Sequence, residues 1–186
     1  VNVTAVHMRF VNTVIEGCNP DCPAQPAVLI SGEHLTAGSI SFDGLFVSRN
    51  PGPAVQLLGK GSNGPMIRFT KCIFNETATH GPAPVQPVPG MHSFFYAPIS
   101  LQPSPWGKEY DGWSWPFGGL TMTDVVIHQM SSPAKATPWL RLEGPPTTAD
   151  TRALRLANIS ISGVKVYTNQ PQTVCKQVVV NGTPAV

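Results

Sequence analysis

The sequence predicts an all-β fold, a parallel β-helix of about five rungs with long loops at two corners. The clearest copy of the repeating unit is the stretch 38–59, in which three short segments alternate apolar and polar residues. The apolar residues of these segments are Ile40 and Phe42, then Leu45 and Val47, then Val55 and Leu57. Alternation of period 2 places one side of a strand on the core. The stretch therefore predicts three strands and two corners, which together make one rung.

The same pattern recurs along the chain. A first half, with two alternating apolar pairs around a short break, occurs at Val3, Ala5, Met8 and Phe10; at Ile40, Phe42, Leu45 and Val47; at Ile67, Phe69, Cys72 and Phe74; at Leu120, Met122, Val125 and Ile127; and at Ile159, Ile161, Val164 and Val166. A second half, with one alternating pair, occurs at Val28/Ile30, Val55/Leu57, Ile99/Leu101, Leu140/Leu142 and Val178/Val180. The halves alternate without a gap, so equivalent side chains are expected to form interior columns about 4.8 Å apart. One expected column is Val3–Ile40–Ile67–Leu120–Ile159.

The composition favours the same fold class. Only 12% of the residues are charged, against roughly 25% in an average domain, and the chain holds 20 Pro and 17 Gly. A hydrophobic content of 41% is enough to build a core, which argues against disorder. We interpret residues 1–186 as a single β-helix domain or as a segment of a longer β-helix. A β-sandwich is the alternative, because short strands and turns also suit that class.

The corners and loops follow from this division. Corners between first and second strands carry Asp43-Gly44, Thr70-Lys71, Thr123-Asp124 and Ser162-Gly163, which are mostly turn-forming residues. The long loops are 16–26 and 75–96 after second strands, and 102–119 after a third strand. No amphipathic helix pattern covers the first or the last predicted rung. We therefore expect strand edges at both ends that can pair with another chain.

With its short corners such as 42–45, its glycine-closed third strand at 55–59 and its variable loops, the chain resembles right-handed parallel β-helix proteins of the pectate-lyase-like superfamily. The resemblance covers residues 3–180 and rests on architecture, without a catalytic signature. It implies a right-handed coil and, as in the carbohydrate-active members, a groove for polysaccharide beside the third-strand sheet. Other members are adhesins, spikes or surface proteins without chemistry, so the resemblance alone does not select a function.

Catalytic groups are not evident on that expected groove. Its outward positions are Leu29, Gln56, Ser100, Arg141 and Val179. None is acidic, whereas glycoside hydrolysis needs a pair of carboxylates. A calcium-assisted lyase would need clustered acidic ligands beside a base such as Arg141, and no such cluster accompanies it. The sequence therefore predicts a protein that is not an enzyme.

Metal, cofactor, nucleic-acid and membrane functions are also disfavoured. The five His are scattered without metal-ligand spacing, and no phosphate-binding or dinucleotide glycine pattern occurs, so no metal and no cofactor is expected. A net charge of +2 without a Lys/Arg run does not suit nucleic acid. No apolar run approaches the roughly 18 residues of a membrane span.

The cysteines allow two interpretations. Cys18 and Cys22 flank an Asn-Pro-Asp loop that a local disulfide could close, and this is favoured over zinc because a second ligand pair is missing. Cys72 occupies an inward strand position, which predicts a buried free thiol. Cys175 has no partner that the sequence identifies.

Four tripeptides match the N-glycosylation acceptor pattern. They begin at Asn2, Asn75, Asn158 and Asn181. Each lies at the border of a predicted strand, where an acceptor must be accessible. Four are more than the one or two expected by chance. The sequence therefore predicts a secreted or cell-surface protein that carries covalent N-glycans.

A cluster of aromatic residues stands in the loop before the fourth rung. Its members are Trp106, Tyr110, Trp113, Trp115 and Phe117. Exposed rings can contact another protomer or stack on sugars. The alternative is that the loop folds back and packs its rings on the flank of the β-helix.

These observations lead to two functional hypotheses. The first is a non-enzymatic extracellular structural glycoprotein, whose β-helix block joins copies of itself or adjoining β-helix segments end to end in a surface rod or self-assembling fibre. The second is a polysaccharide-binding or carbohydrate-active module that uses the third-strand groove and the aromatic loop.

Overall fold

The computed structural model of the chain describes residues 6–17, 25–32, 38–59, 65–78, 97–103, 117–130, 139–142, 158–168, 178–180 and 183–184. Within these ranges the regular structure is entirely β, and no helix occurs. The strands form three sheets, here called sheets A, B and C. All pairs between neighbouring strands are parallel except the last pair of sheet C. The predicted all-β class is confirmed at this level.

Sheet A has five strands. They are β1 (Val6–Val11), β4 (Gly38–Asp43), β7 (Met66–Thr70), β10 (Gly119–Thr123) and β13 (Ile159–Ser162), in the order β1-β4-β7-β10-β13. Sheet B also has five strands, β2 (Val14–Glu16), β5 (Phe46–Ser48), β8 (Ile73–Asn75), β11 (Val126–Gln129) and β14 (Lys165–Thr168), in the order β14-β11-β8-β5-β2.

Sheet C has six strands. They are β3 (Val28–Gly32), β6 (Val55–Gly59), β9 (Ile99–Pro103), β12 (Leu140–Leu142), β15 (Val178–Val180) and β16 (Thr183–Pro184), in the order β16-β15-β12-β9-β6-β3. Strands β1 to β15 thus fall into five successive triplets, and each triplet gives one strand to each sheet. In every sheet the neighbour of a strand is the equivalent strand of the next triplet, as the repeat predicted.

Inward side chains of the three sheets meet in one hydrophobic core. Ile40, Ile67 and Leu120 are paired in register across sheet A and are completely buried. A second column begins with three phenylalanines. The ring of Phe42 lies 4.9 Å from that of Phe10 and 4.7 Å from that of Phe69, nearly parallel to both. Equivalent apolar residues therefore stack from one triplet to the next, which is the arrangement that the interior columns predicted.

The predicted register of the first triplet is wrong. Ile40 pairs with Met8, and not with Val3. Ile15 pairs with Val47, while Thr13 occupies the place that Leu45 holds in the second triplet. The pattern was ambiguous because the apolar residues before Phe10 fit two alignments, and because a polar Thr13 stands where the other triplets carry an apolar residue.

The corners between sheets A and B share one backbone conformation. Their residues have a left-handed φ: Asn12 (47°), Gly44 (68°), Lys71 (52°), Asp124 (53°) and Gly163 (64°). The backbone N–H of each of the first four donates to a carbonyl of the next triplet at 2.8–3.1 Å. Glycine, Asn and Asp tolerate this conformation best, so four of these five positions fit the local requirement, and Lys71 accepts strain.

Cys72 is buried and free, as predicted. Its Sγ donates to the carbonyl oxygens of Phe42 at 3.3 Å and Thr70 at 3.4 Å. Burial raises the pKa of the thiol above its ordinary value, and this outweighs the lowering by backbone hydrogen bonds. The thiol therefore belongs to the core.

Candidate functional surfaces

The predicted site residues divide into those the structure describes and those outside the described ranges. Asn2, Asn181, Cys18 and Cys22 lie outside them, as does Cys175. The aromatic residues Trp106, Tyr110, Trp113 and Trp115 also lie outside. Asn75, Asn158 and Phe117 are described, and these three can be placed in the fold.

Phe117 belongs to the core and not to an open surface. Its side chain is 3% exposed, and it joins the core cluster next to strand β10. A ring in this position cannot stack on a sugar or on another protomer. The surface role predicted for Phe117 does not agree with this burial, because the ring joins the core beside the strand it precedes.

Asn75 ends strand β8 and faces outward from sheet B. It pairs in register with Ser48 and His128. Its Nδ2 donates to Ser48 Oγ at 3.1 Å, and its carbonyl oxygen accepts the backbone N–H of Arg49 at 2.9 Å. The side chain is half-buried. Asn75 is thus held in place while its amide still borders solvent.

The third residue of this acceptor tripeptide has a different environment. Thr77 is fully buried, and its Oγ1 has no hydrogen-bond partner in the described part of the chain. Its carbonyl oxygen accepts Gln129 Nε2 at 3.4 Å. Glu76, between Asn75 and Thr77, has a left-handed φ of 51°. The tripeptide therefore turns a corner and takes its hydroxyl inside the fold.

The acceptor tripeptide at Asn158 stays on the surface. Asn158 is exposed, has a left-handed φ of 60°, and donates from Nδ2 to the Gly118 carbonyl oxygen at 3.3 Å. The third residue, Ser160, is also exposed on strand β13. The two described tripeptides thus differ in the burial of the hydroxyl residue.

The outer face of sheet B carries an apolar column that the sequence reasoning missed. Val14, Phe46, Ile73 and Val126 are paired in register, and Lys165 continues the column. Val14 is 65% exposed and Ile73 is 38% exposed. The signal was present in the sequence, because each residue immediately precedes an inward apolar residue. It was overlooked because only the alternating core positions were considered.

On the outer face of sheet C, two polar side chains are covered so that solvent does not reach them, and the face is closed there. Gln56 and Ser100 are paired in register and are fully buried, although they face away from the core. The amide atoms of Gln56 and the hydroxyl of Ser100 have no hydrogen-bond partner among the described residues. By backbone register the next residue in this column is Arg141. Buried polar groups ordinarily have a hydrogen-bond partner in the protein or an ordered water, so these two side chains are exceptions within the described residues.

The inward side chains of the outermost triplets are partly open. Met8 in the first triplet and Ile161 in the fifth are each 39% exposed. Phe42, Phe69 and Met122, which lie between Phe10 and Ile161 in one column, are completely buried. Apolar surface that the central triplets bury thus remains exposed at both ends of the stack.

The edge of sheet C at the fifth triplet differs from the other edges. Strand β16 pairs antiparallel with β15, with Val179 opposite Pro184 and Val180 opposite Thr183. Strand β16 pairs with the edge of β15 that a further parallel strand would use. Pro184 has no backbone N–H, so β16 in turn offers an incomplete edge to another strand. A parallel continuation at this end can therefore use sheets A and B only.

Across the described residues, no group of three or more His, Cys, Asp or Glu side chains is arranged to hold a metal ion. No helix with the length and hydropathy of a membrane span occurs in the described ranges. Comparison of the chain with protein-family models, with curated proteins and with solved structures finds no significant match.

Proposed function

We propose that this chain is a non-enzymatic extracellular structural glycoprotein, a block of right-handed parallel β-helix that joins further β-helix rungs end to end. The coil itself is supported by the three parallel sheets and by the division of β1 to β15 into triplets. An antiparallel β-sandwich would pair strands differently. In a parallel β-helix each strand lies beside its equivalent one rung away, which is the pairing of the described strands.

The observation that carries the proposal is the open apolar surface of the two end rungs. Met8 and Ile161 continue columns whose residues in the second to fourth triplets are completely buried, and both are 39% exposed. Full burial of a side chain of this size stabilises by about 1.5–3 kcal/mol, so covering these residues is favourable. A further rung offers matching apolar residues and backbone groups that can pair with sheets A and B at both ends and with sheet C at the first triplet. The occupant is a second copy of the chain or an adjoining β-helix segment.

Two structural features support a structural role over chemistry. The described outward positions carry few carboxylates, and the described residues hold no group of three or more Asp, Glu, His or Cys side chains of the kind that would bind the calcium ion of a lyase. The repetition of one core residue pattern through five triplets is typical of proteins whose stability comes from stacked neighbours. The expected location remains the extracellular space or the cell surface, on the basis of the four acceptor tripeptides.

A paired substitution at the first rung tests the end contact. Met8→Glu places a charge on the inward side of β1, and the control His7→Glu places it on the outward side one residue away. The weight-average mass, measured by sedimentation over a range of concentrations, should rise for the wild type and for His7→Glu. It should stay at the monomer value for Met8→Glu. A wild-type chain that stays monomeric at all concentrations, with no filaments by negative-stain microscopy, contradicts self-association.

A further inference from the structure

The third residue of the acceptor tripeptide at Asn75 carries a hydroxyl that does not stabilise the folded state. Thr77 Oγ1 is buried without a hydrogen-bond partner in the described ranges. Burying an unpaired hydroxyl costs free energy, whereas an apolar side chain of the same shape would not pay this cost. Valine has that shape. The described fold therefore gives no reason for threonine at position 77.

The hydroxyl has a use before the corner folds. Transfer of an oligosaccharide to asparagine requires a hydroxyl residue two positions later, and Asn75-Glu76-Thr77 satisfies this pattern. In the folded chain Thr77 is inaccessible, and Glu76 turns away with its backbone N–H bonded to the His128 carbonyl oxygen at 2.8 Å. The tripeptide can be recognised only while this corner is still open.

We propose that Asn75 is N-glycosylated before the third triplet folds, and that the Thr77 hydroxyl serves this modification and not the stability of the fold. The inference rests on the proposed extracellular glycoprotein and identifies which acceptor the fold marks. The transfer forms a bond between Asn75 Nδ2 and the anomeric carbon of a lipid-linked oligosaccharide diphosphate. It breaks the bond from that carbon to the diphosphate, and the lipid diphosphate leaves as Nδ2 loses one proton.

The folded protein can accommodate the modified side chain. Nδ2 carries two hydrogens, so after one is replaced the other can still donate to Ser48 Oγ, which lies 3.1 Å away. Asn75 faces outward from sheet B, and Ile73, two residues earlier on the same face, is 38% exposed. The sugar therefore has open, partly apolar surface beside it.

The test uses the full chain secreted from a eukaryotic host. Occupancy of Asn75 and Asn158 is measured by peptide mass spectrometry after enzymatic removal of glycans in heavy-oxygen water. The variants are Thr77→Val, which keeps the shape without the hydroxyl, and Thr77→Ser, which keeps the hydroxyl. Ser100→Ala is the matched control, because Ser100 also has a buried hydroxyl without a partner in the described ranges but belongs to no acceptor tripeptide. Thermal unfolding of each variant is measured in parallel in an Asn75→Gln background, so that no chain carries a glycan, or the Asp left by its enzymatic removal, at position 75.

Asn75 should be occupied in the wild type, in Thr77→Ser and in Ser100→Ala, and occupancy should fall to background in Thr77→Val. The unfolding temperature of Asn75→Gln/Thr77→Val should equal or exceed that of Asn75→Gln alone. An unoccupied Asn75 with an occupied Asn158 overturns this inference and leaves the glycoprotein proposal intact. An absence of glycan at both positions overturns the inference, and an absence of glycan anywhere on the secreted chain overturns the glycoprotein proposal as well. A lower unfolding temperature for Thr77→Val also overturns the inference, because it assigns the hydroxyl to the fold.

Discussion

The side chain of Asn12 lies directly over Gly44, at the same corner of two successive triplets. A Cβ added at Gly44 would stand 2.6 Å from Asn12 Oδ1. Both residues have a left-handed φ, 47° for Asn12 and 68° for Gly44. Glycine at position 44 therefore suits the left-handed φ and also leaves room for the Asn12 side chain, whose Oδ1 would have to move if a Cβ were added.

These two requirements can be separated by substitution. Gly44→Ala should destabilise the protein by about 2–4 kcal/mol, because it adds a steric conflict to the roughly 1–2 kcal/mol of left-handed strain. Gly17→Ala is the control, since Gly17 has a similar φ of 64° and nothing within 4 Å of an added Cβ. Gly17→Ala should reduce the free energy of unfolding only by the left-handed strain, roughly 1–2 kcal/mol. Urea unfolding measures both, and equal losses would show that Asn12 moves aside without cost.

The stacked phenylalanines predict a graded loss of stability. Phe42 contacts a ring on each side, whereas Phe10 at the first triplet has the ring of Phe42 on one side and is only half-buried. Aromatic pairs contribute about 0.5–1.5 kcal/mol beyond their buried area. Phe42→Leu should therefore reduce the free energy of unfolding by about 1–3 kcal/mol, and Phe10→Leu by less. A larger loss for Phe10→Leu would contradict the stacking order.

The Cys72 thiol predicts a pH dependence at alkaline pH. Its pKa in the folded chain is raised above the ordinary value of 9.0 by burial. The unfolded chain therefore ionises first, and the stability contributed by the neutral thiol is complete below pH 9.0 and is lost as the pH rises toward the folded pKa. Between these values the wild type should lose more stability than Cys72→Ala. If the wild type and Cys72→Ala lose the same free energy of unfolding as the pH rises, the thiol is not the group responsible.

The reactivity of the same thiol gives an independent check. An aromatic disulfide reagent should react with Cys72 only at the rate at which the core opens, because the side chain is completely buried. The expected rate rises steeply with urea. Labelling of Cys72 at the rate of a free thiol in native buffer would contradict its burial.

The ion pair between Arg9 and Asp43 joins the first two strands of sheet A but should contribute little. Arg9 Nη2 lies 3.0 Å from Asp43 Oδ2, and the side chains are 67% and 39% exposed. Exposed pairs contribute below about 1 kcal/mol. A double-mutant cycle with Arg9→Gln and Asp43→Asn should give a coupling energy in this range that decreases with salt. A larger, salt-independent coupling would mean that the pair is shielded from solvent.

The repeating unit was predictable because its signals are local. The inward residues of the second triplet, such as Ile40 and Leu57, follow from alternation within a few residues. The left-handed corner residues Gly44 and Gly163 were placed at corners by their position between two alternating segments. The first triplet was assigned incorrectly because Val3 and Met8 both fit the local pattern. Only the pairing of Met8 with Ile40 distinguishes the two alignments.

The candidate sites depended more strongly on contacts that are distant in the chain. Asn75 and Asn158 were found as equivalent tripeptides, and nothing local separates them. Gln56 and Ser100 were assigned to an outward face, where polar residues are ordinarily solvated, yet both are buried. Strand β16 carried no alternation from which its antiparallel pairing could be predicted.

The sequence by itself determined which side chains point inward and where the strands turn, because both depend on periodicity and on backbone preferences of neighbouring residues. Tertiary structure decided the register of the first triplet, the burial of Thr77 and the closed outer face at Gln56. These features depend on which strand lies alongside and on what covers a face. The free energy of such contacts comes from residues 27 to 53 positions away, as one triplet stacks on the next.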